Sequence, residues 1–237
     1  MPGYTLNLGI DQESLKIITA AQQQIVLARP VDGASPNVVW VAFRPFEDNS
    51  VTWVEEFGLY ASTTEFQSGA EIVKMSHTDF PAQDGMYYSF DATATFSGPF
   101  SGAQAPPLGS YRTYNNMPEK DYPALTFGLQ QVATVNGKPT LPTPVNAVSV
   151  LANEQVTFTP LTTVYAWLQS TIVSATMISD VQGNSAKVVF GDGVTTASLR
   201  YDPTAGRFVS STSSLPPGLK VSHYDRSERL FAPQSRR

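Results

Sequence analysis

Apolar and polar positions alternate with a period of two in short runs along most of the chain. Residues 5–10 (Thr-Leu-Asn-Leu-Gly-Ile) alternate cleanly, and 15–19 show the same tendency. Side chains of a strand point alternately to its two faces, so such runs predict half-buried strands. Apolar or β-branched runs at 24–28, 38–43, 51–53, 59–61, 72–75 and 86–90 extend the series. The later part of the chain adds 125–129, 147–151, 156–159, 164–168, 171–178, 187–190, 197–201 and 207–210. Turn chemistry separates them at Asp32-Gly33, Asp48-Asn49, Asp84-Gly85, Asn136-Gly137 and 202–206. The best helical stretch is 12–23, which lacks β-breakers and contains Ala20-Ala21, although Ile17-Ile18-Thr19 pulls it towards a strand.

The pattern also repeats. Val51-Thr52-Trp53 recurs as Val156-Thr157-Phe158, and Leu59-Tyr60-Ala61 recurs as Val164-Tyr165-Ala166 at the same spacing. Ala70 and Ile72 align with Ala175 and Met177 without a gap. Leu6 to Gln12 resembles Leu125 to Gln131, and Asp84-Gly85-Met86 resembles Asp192-Gly193-Val194, with length changes placed in loops. The fold expected from this is all-β: two tandem, internally duplicated antiparallel sandwiches of immunoglobulin or jelly-roll type, packed around a pseudo-two-fold. The expected boundaries are 1–118 for the first half, 119–215 for the second and 216–237 for a polar, basic tail. A single larger sandwich or barrel is the alternative. Trp53, Tyr60, Phe158, Tyr165 and Trp167 fall on repeated or adjacent strands and read as core.

Composition supports a folded β protein. Of the 237 residues 41% are hydrophobic and 15% charged, and the net charge is −5. That balance repels a phosphate backbone, so nucleic acid is not an expected partner. The one basic patch is Lys220, Arg226, Arg229, Arg236 and Arg237, interleaved with Asp225 and Glu228, and it reads as a solvated terminus. The absence of cysteine removes disulfides, thiolate nucleophiles and cysteine zinc sites. No basic region followed by an apolar run opens the chain, and no apolar stretch is long enough for a membrane helix. A soluble protein is expected, cytoplasmic or exported without a visible signal.

Catalytic and metal signatures are weak. His77 and Asp79 share a face if 77–79 is extended, but no nucleophile-elbow motif accompanies them. His223 lies in the tail. Glu55-Glu56 and Glu47-Asp48 sit in turns and read as solubilising charges; a glycosidase would need two such carboxylates facing across a cleft. Gly191-Asp192-Gly193 and Asp202 lack the dense Asp pattern of a calcium loop. No catalytic residue, metal or cofactor is assigned, and the reading leans away from an enzyme.

A more suggestive cluster is Tyr111, Arg112, Tyr114, Asn115 and Asn116, which follows a Gly- and Pro-rich loop at 98–109. Rings for stacking, a guanidinium fork and amides are the materials of a polar-ligand or sugar site. The function expected is non-catalytic recognition of a carbohydrate or other cell-surface ligand, as in a lectin-like or defence protein, with self-association left open. Two alternatives stand beside it. Residues 155–179 contain no charge and many hydroxyls, the composition of a pore-lining β-hairpin, which would be the one route to membrane contact, or of a strand pair buried between the halves. The other is a small-molecule enzyme with its site between the halves.

Overall fold

The structure is a computed structural model that describes residues 3–211 and the backbone of the strand Val221–His223. The described residues are nearly all β, with one helix. A six-stranded sheet runs, in spatial order, β12 (Lys138–Pro139), β11 (Thr134–Val135), β4 (Asp48–Val54), β1 (Gly3–Gly9), β18 (Thr196–Asp202) and β19 (Arg207–Ser210). A four-stranded sheet runs β15 (Gln155–Phe158), β9 (Tyr111–Asn115), β7 (Met86–Phe90) and β8 (Phe96–Phe100). A third sheet runs β13 (Thr143–Pro144), β10 (Ala124–Gln131), β5 (Gly58–Ser62) and β6 (Lys74–His77), with β14 (Val148–Leu151) also on β10. The fourth runs β20 (Val221–His223), β17 (Ala186–Val189), β16 (Thr163–Ser170), β2 (Gln23–Ala28) and β3 (Val41–Phe43).

Alternation and burial agree where one face meets solvent. In β1 the residues Tyr4, Leu6 and Leu8 point inward while Thr5 and Asn7 do not, and β4 repeats this with Val51 and Trp53 inward. The central strands behave differently: β5 is buried at every position and β16 over its first five, because both of their faces are covered. One large core holds Leu6, Ile25, Leu59, Phe90, Phe127 and Phe158, so all four sheets contribute to it. Smaller clusters close the far faces, around Trp167 and Ile178 on one side and around Tyr60 and Met177 on the other. Gly128 permits the close approach there, since any Cβ would collide with the Asn146 carbonyl and the Tyr60 ring.

Three expectations are corrected. Residues 15–19 form no strand; they lie inside helix α1 (Gln12–Ala20), because Asp11 caps it by accepting from the Ser14 N–H at 2.9 Å and the Ser14 hydroxyl at 2.7 Å. Residues 171–178 form no continuous strand, since Thr171 and Ala175 have positive φ, which breaks an extended run. Residues 98–109 are not wholly loop, because β8 runs into them as far as Phe100.

The arrangement of strands also differs from two sandwiches in sequence. Every sheet draws strands from both sides of position 118, and two neighbours are parallel: β1 beside β18, and β7 beside β9. The second edge of β1 is thereby hydrogen-bonded by a strand from nearly two hundred residues away, so β1 itself has no open edge to attract other chains.

Candidate functional site

On β9 the period of two divides the sequence cluster. Tyr111, Thr113 and Asn115 point inward and are buried, while Arg112 and Tyr114 face outward. Tyr111 packs its ring edge-on against Phe57 at 6.0 Å. Burial holds the Tyr111 phenol well above its ordinary pKa, with Asp84 and other acidic neighbours adding to the effect. Asn115 is fully buried, donates to the Val150 carbonyl at 3.0 Å and accepts from the Met117 N–H at 3.2 Å. Tyr111 and Asn115 therefore belong to the interior, and the reading that placed them in a ligand site is corrected.

The outward residues meet partners from neighbouring strands. Tyr114 stands edge-on to Tyr87 at 5.6 Å, and Tyr87 lies against Phe100 at 5.3 Å. Three strands thus supply one run of rings, with Phe100 39% exposed at its end. The Arg112 guanidinium donates to the Thr157 hydroxyl at 2.9 Å and to the Gln104 carbonyl at 2.7 Å, tying the loop after β8 to the sheet. Exposed Asn116 donates to the Ser89 hydroxyl at 2.7 Å. The face combines flat rings, a fixed cation and amide and hydroxyl groups. Tyr87, Ser89 and Phe100 escaped sequence reasoning, because their proximity depends on non-local pairing. The alternation of Met86 to Phe90 was nonetheless a signal that Tyr87 faces out.

The carboxylates separate as well. Glu55 is no solubilising turn charge. It pairs with buried Arg29 at 2.9 Å and accepts from the Trp53 indole at 2.9 Å. Arg29 also donates to Gln131 and, at 2.7 Å, to the Leu161 carbonyl. Its guanidinium lies over the rings of Trp40, Trp53 and Phe57 at 5.4 to 5.7 Å. This is a closed, structural cage. Glu56 instead lines an open concavity of about 520 Å³ with Tyr4, Trp53 and Phe80.

The remaining candidates do not converge. His77 and Asp79 are exposed and line a 370 Å³ concavity with Tyr88 and Phe96. The Nδ1 of His77 bonds the Thr78 carbonyl at 2.9 Å, and the Thr78 hydroxyl accepts from the Leu59 N–H at 3.1 Å. Asp202 accepts from the N–H groups of Thr204 and Ala205, which makes it a turn residue. Among the described residues no cluster of three or more His, Cys, Asp or Glu could hold a metal ion. No helix among them is long and apolar enough to cross a membrane. The charge-free segment is not a hairpin: β15 pairs with β9, while β16 lies between β2 and β17. The tail cations and the His223 side chain lie outside the described residues. No family model, curated protein or solved structure matches the chain.

Proposed function

We propose that the protein is a non-catalytic recognition protein that binds a carbohydrate or another cell-surface ligand through the outer face of the four-stranded sheet. The observation that carries this reading is the run of rings Tyr114, Tyr87 and Phe100 on a solvent-facing sheet, flanked by Arg112, Asn116 and Ser89. Rings cover the apolar face of a sugar, while amides and hydroxyls address its substituents. A glycan array of the full chain against Tyr114→Ala and Tyr87→Ala tests it. Ligands held by the wild type should be lost in both variants, with melting nearly unchanged. Binding retained by both variants would overturn the reading.

The architecture supports an internal duplication whose copies interlock rather than follow one another. In one sheet β4 pairs with β1, β1 runs parallel to β18, and β18 forms a hairpin with β19. In the other, β15 pairs with β9, β9 runs parallel to β7, and β7 forms a hairpin with β8. Thr52, paired with Thr5, corresponds to Thr157, paired with Arg112. The same exchange relates the inner sheets, where Tyr60 pairs with Gly128 as Tyr165 pairs with Ala28. Near the pseudo-axis Met177 donates to the Ala70 carbonyl and Ile72 to the Ala175 carbonyl, a reciprocal contact of repeat-equivalent residues. On this reading the copies meet near residue 105, ahead of β9, rather than at 118, and β1 answers to β9 rather than to the segment Leu125 to Gln131 that it resembles in sequence.

A further inference from the structure

The outer face of the six-stranded sheet is chemically unlike the ring-bearing face. Cα partners place Thr134, Thr52, Thr5 and Thr196 side by side across four strands. Two residues along, Ser50, Asn7 and Ser198 form a second row. Asn136 extends that row, its side-chain oxygen accepting from the Ser50 N–H at 2.8 Å. The Thr and Ser residues and Asn7 point outward, since Leu6, Val51 and Ala197 between them are buried, while the Asn136 amide is turned to Ser50 and Asn49. Neighbouring strands lie about 4.7–4.9 Å apart, and two residues advance about 6.6–6.8 Å, so the groups form a regular polar lattice.

Three further facts point to a ligand. The hydroxyls of Thr5, Ser50, Thr52, Thr134 and Thr196 make no hydrogen bond to a described residue, whereas those of Ser62, Thr126, Thr157 and Thr162 are engaged. Three concavities of about 520, 460 and 420 Å³ lie along the rows, the first at Thr5, Thr52 and Thr134 and the others at Asn7, while Thr196 lies outside them. The rows themselves bear no charge, and their rim is mainly acidic: Glu56 lines the first concavity, Asp48 the second, and Asp11, Glu47 and Asp48 the third together with Arg200. Phe46, 56% exposed, lines the middle one.

We propose that this face is a second binding surface, for a single extended chain of neutral polysaccharide. Hydroxyls that both donate and accept suit a ligand built of hydroxyls, and the mainly acidic rim disfavours an anionic one. Adjacent strands twist by roughly 20–25°, so across four strands the rows fan by about 60–75°. A flexible chain follows that twist, and a flat crystalline surface does not. The surface is independent of the rings at Tyr114.

Affinity electrophoresis of the full chain through gels containing soluble β-1,3-glucan, xyloglucan or amylose tests the proposal. At least one polymer should retard the wild type and Tyr114→Ala alike. Replacing Thr5, Thr52, Thr134 and Thr196 together by valine keeps shape and strand preference, and should weaken retention at least about tenfold. Asn7→Lys, which fills the trough from outside without touching the core, should do the same and covers the case in which the valine variant fails to fold. The proposal is overturned if no polymer retards the wild type, or if Asn7→Lys and a folded valine variant migrate as the wild type does. Loss of retention in Tyr114→Ala alone would place the polymer on the rings and also overturn it.

Discussion

Strands β1 and β9 hold matching places in two sheets, yet they meet solvent with different chemistry. Inward, each begins with a buried tyrosine, Tyr4 in one and Tyr111 in the other. Outward, β1 shows Thr5 and Asn7 where β9 shows Arg112 and Tyr114. The inner positions answer to packing, which tolerates few shapes, while the outer ones are free to take up separate tasks. A second difference lies beneath them. Beside the matching pairs Tyr165–Ala28 and Tyr60–Gly128, Arg29 with its partner Glu55 stands where the other pairing has Leu129 and, by the sequence repeat, Pro160.

The largest expected effect comes from making that place alike. Arg29→Leu leaves the Glu55 carboxylate enclosed without its cation and should cost about 3–5 kcal/mol, read from urea melts. Adding Glu55→Gln should restore most of the loss. A single variant as stable as the wild type would show that the pair contributes nothing to the fold and that the difference between the two matching places is idle.

An intermediate effect should appear in alkali. Burial raises the pKa of the Tyr4, Tyr60 and Tyr111 phenols, so the native state holds these protons more tightly than the unfolded chain does. Their contribution is complete below the unfolded value of about 10 and is lost as pH rises above it. Urea midpoints should therefore fall above about pH 10, and less steeply in Tyr111→Phe. Tyr4→Phe should flatten the profile likewise, and an unaltered slope there would separate the two tyrosines. The smallest effect concerns interlocking. A protease site placed in the exposed stretch at Gly102 and cut should leave both pieces eluting together, with melting little changed at high concentration. Separation of the pieces would favour two successive domains.

Much of the strand content was legible because 5–10 or 197–201 present one face to the core and one outward, which writes itself as alternation. Strands β5 and β16 are buried on both faces and offered composition alone. Helix α1 was half legible: its cap at Asp11 lies in plain view, but the β-branched run Ile17-Ile18-Thr19 competed with it. Partner choice was not legible, since nothing near Thr5 tells of Thr196. The site suffered from the same cause. A contiguous cluster was treated as one surface, whereas alternation buries Tyr111 and Asn115 and leaves Arg112 and Tyr114 to be completed by Tyr87 and Phe100.

The parallel pairing of β1 with β18 has a consequence in time. The strand that bonds the second edge of residues 3–9 is synthesised nearly two hundred residues after them. At about 5–20 residues per second, the interval is on the order of 10–40 s. Throughout it Leu6 and Leu8 belong to an edge whose neighbour does not yet exist. The nascent chain must therefore keep an apolar strand out of wrong pairings over that interval, so a chaperone that shields extended segments should raise the yield of native protein more than it would for two domains made one after the other.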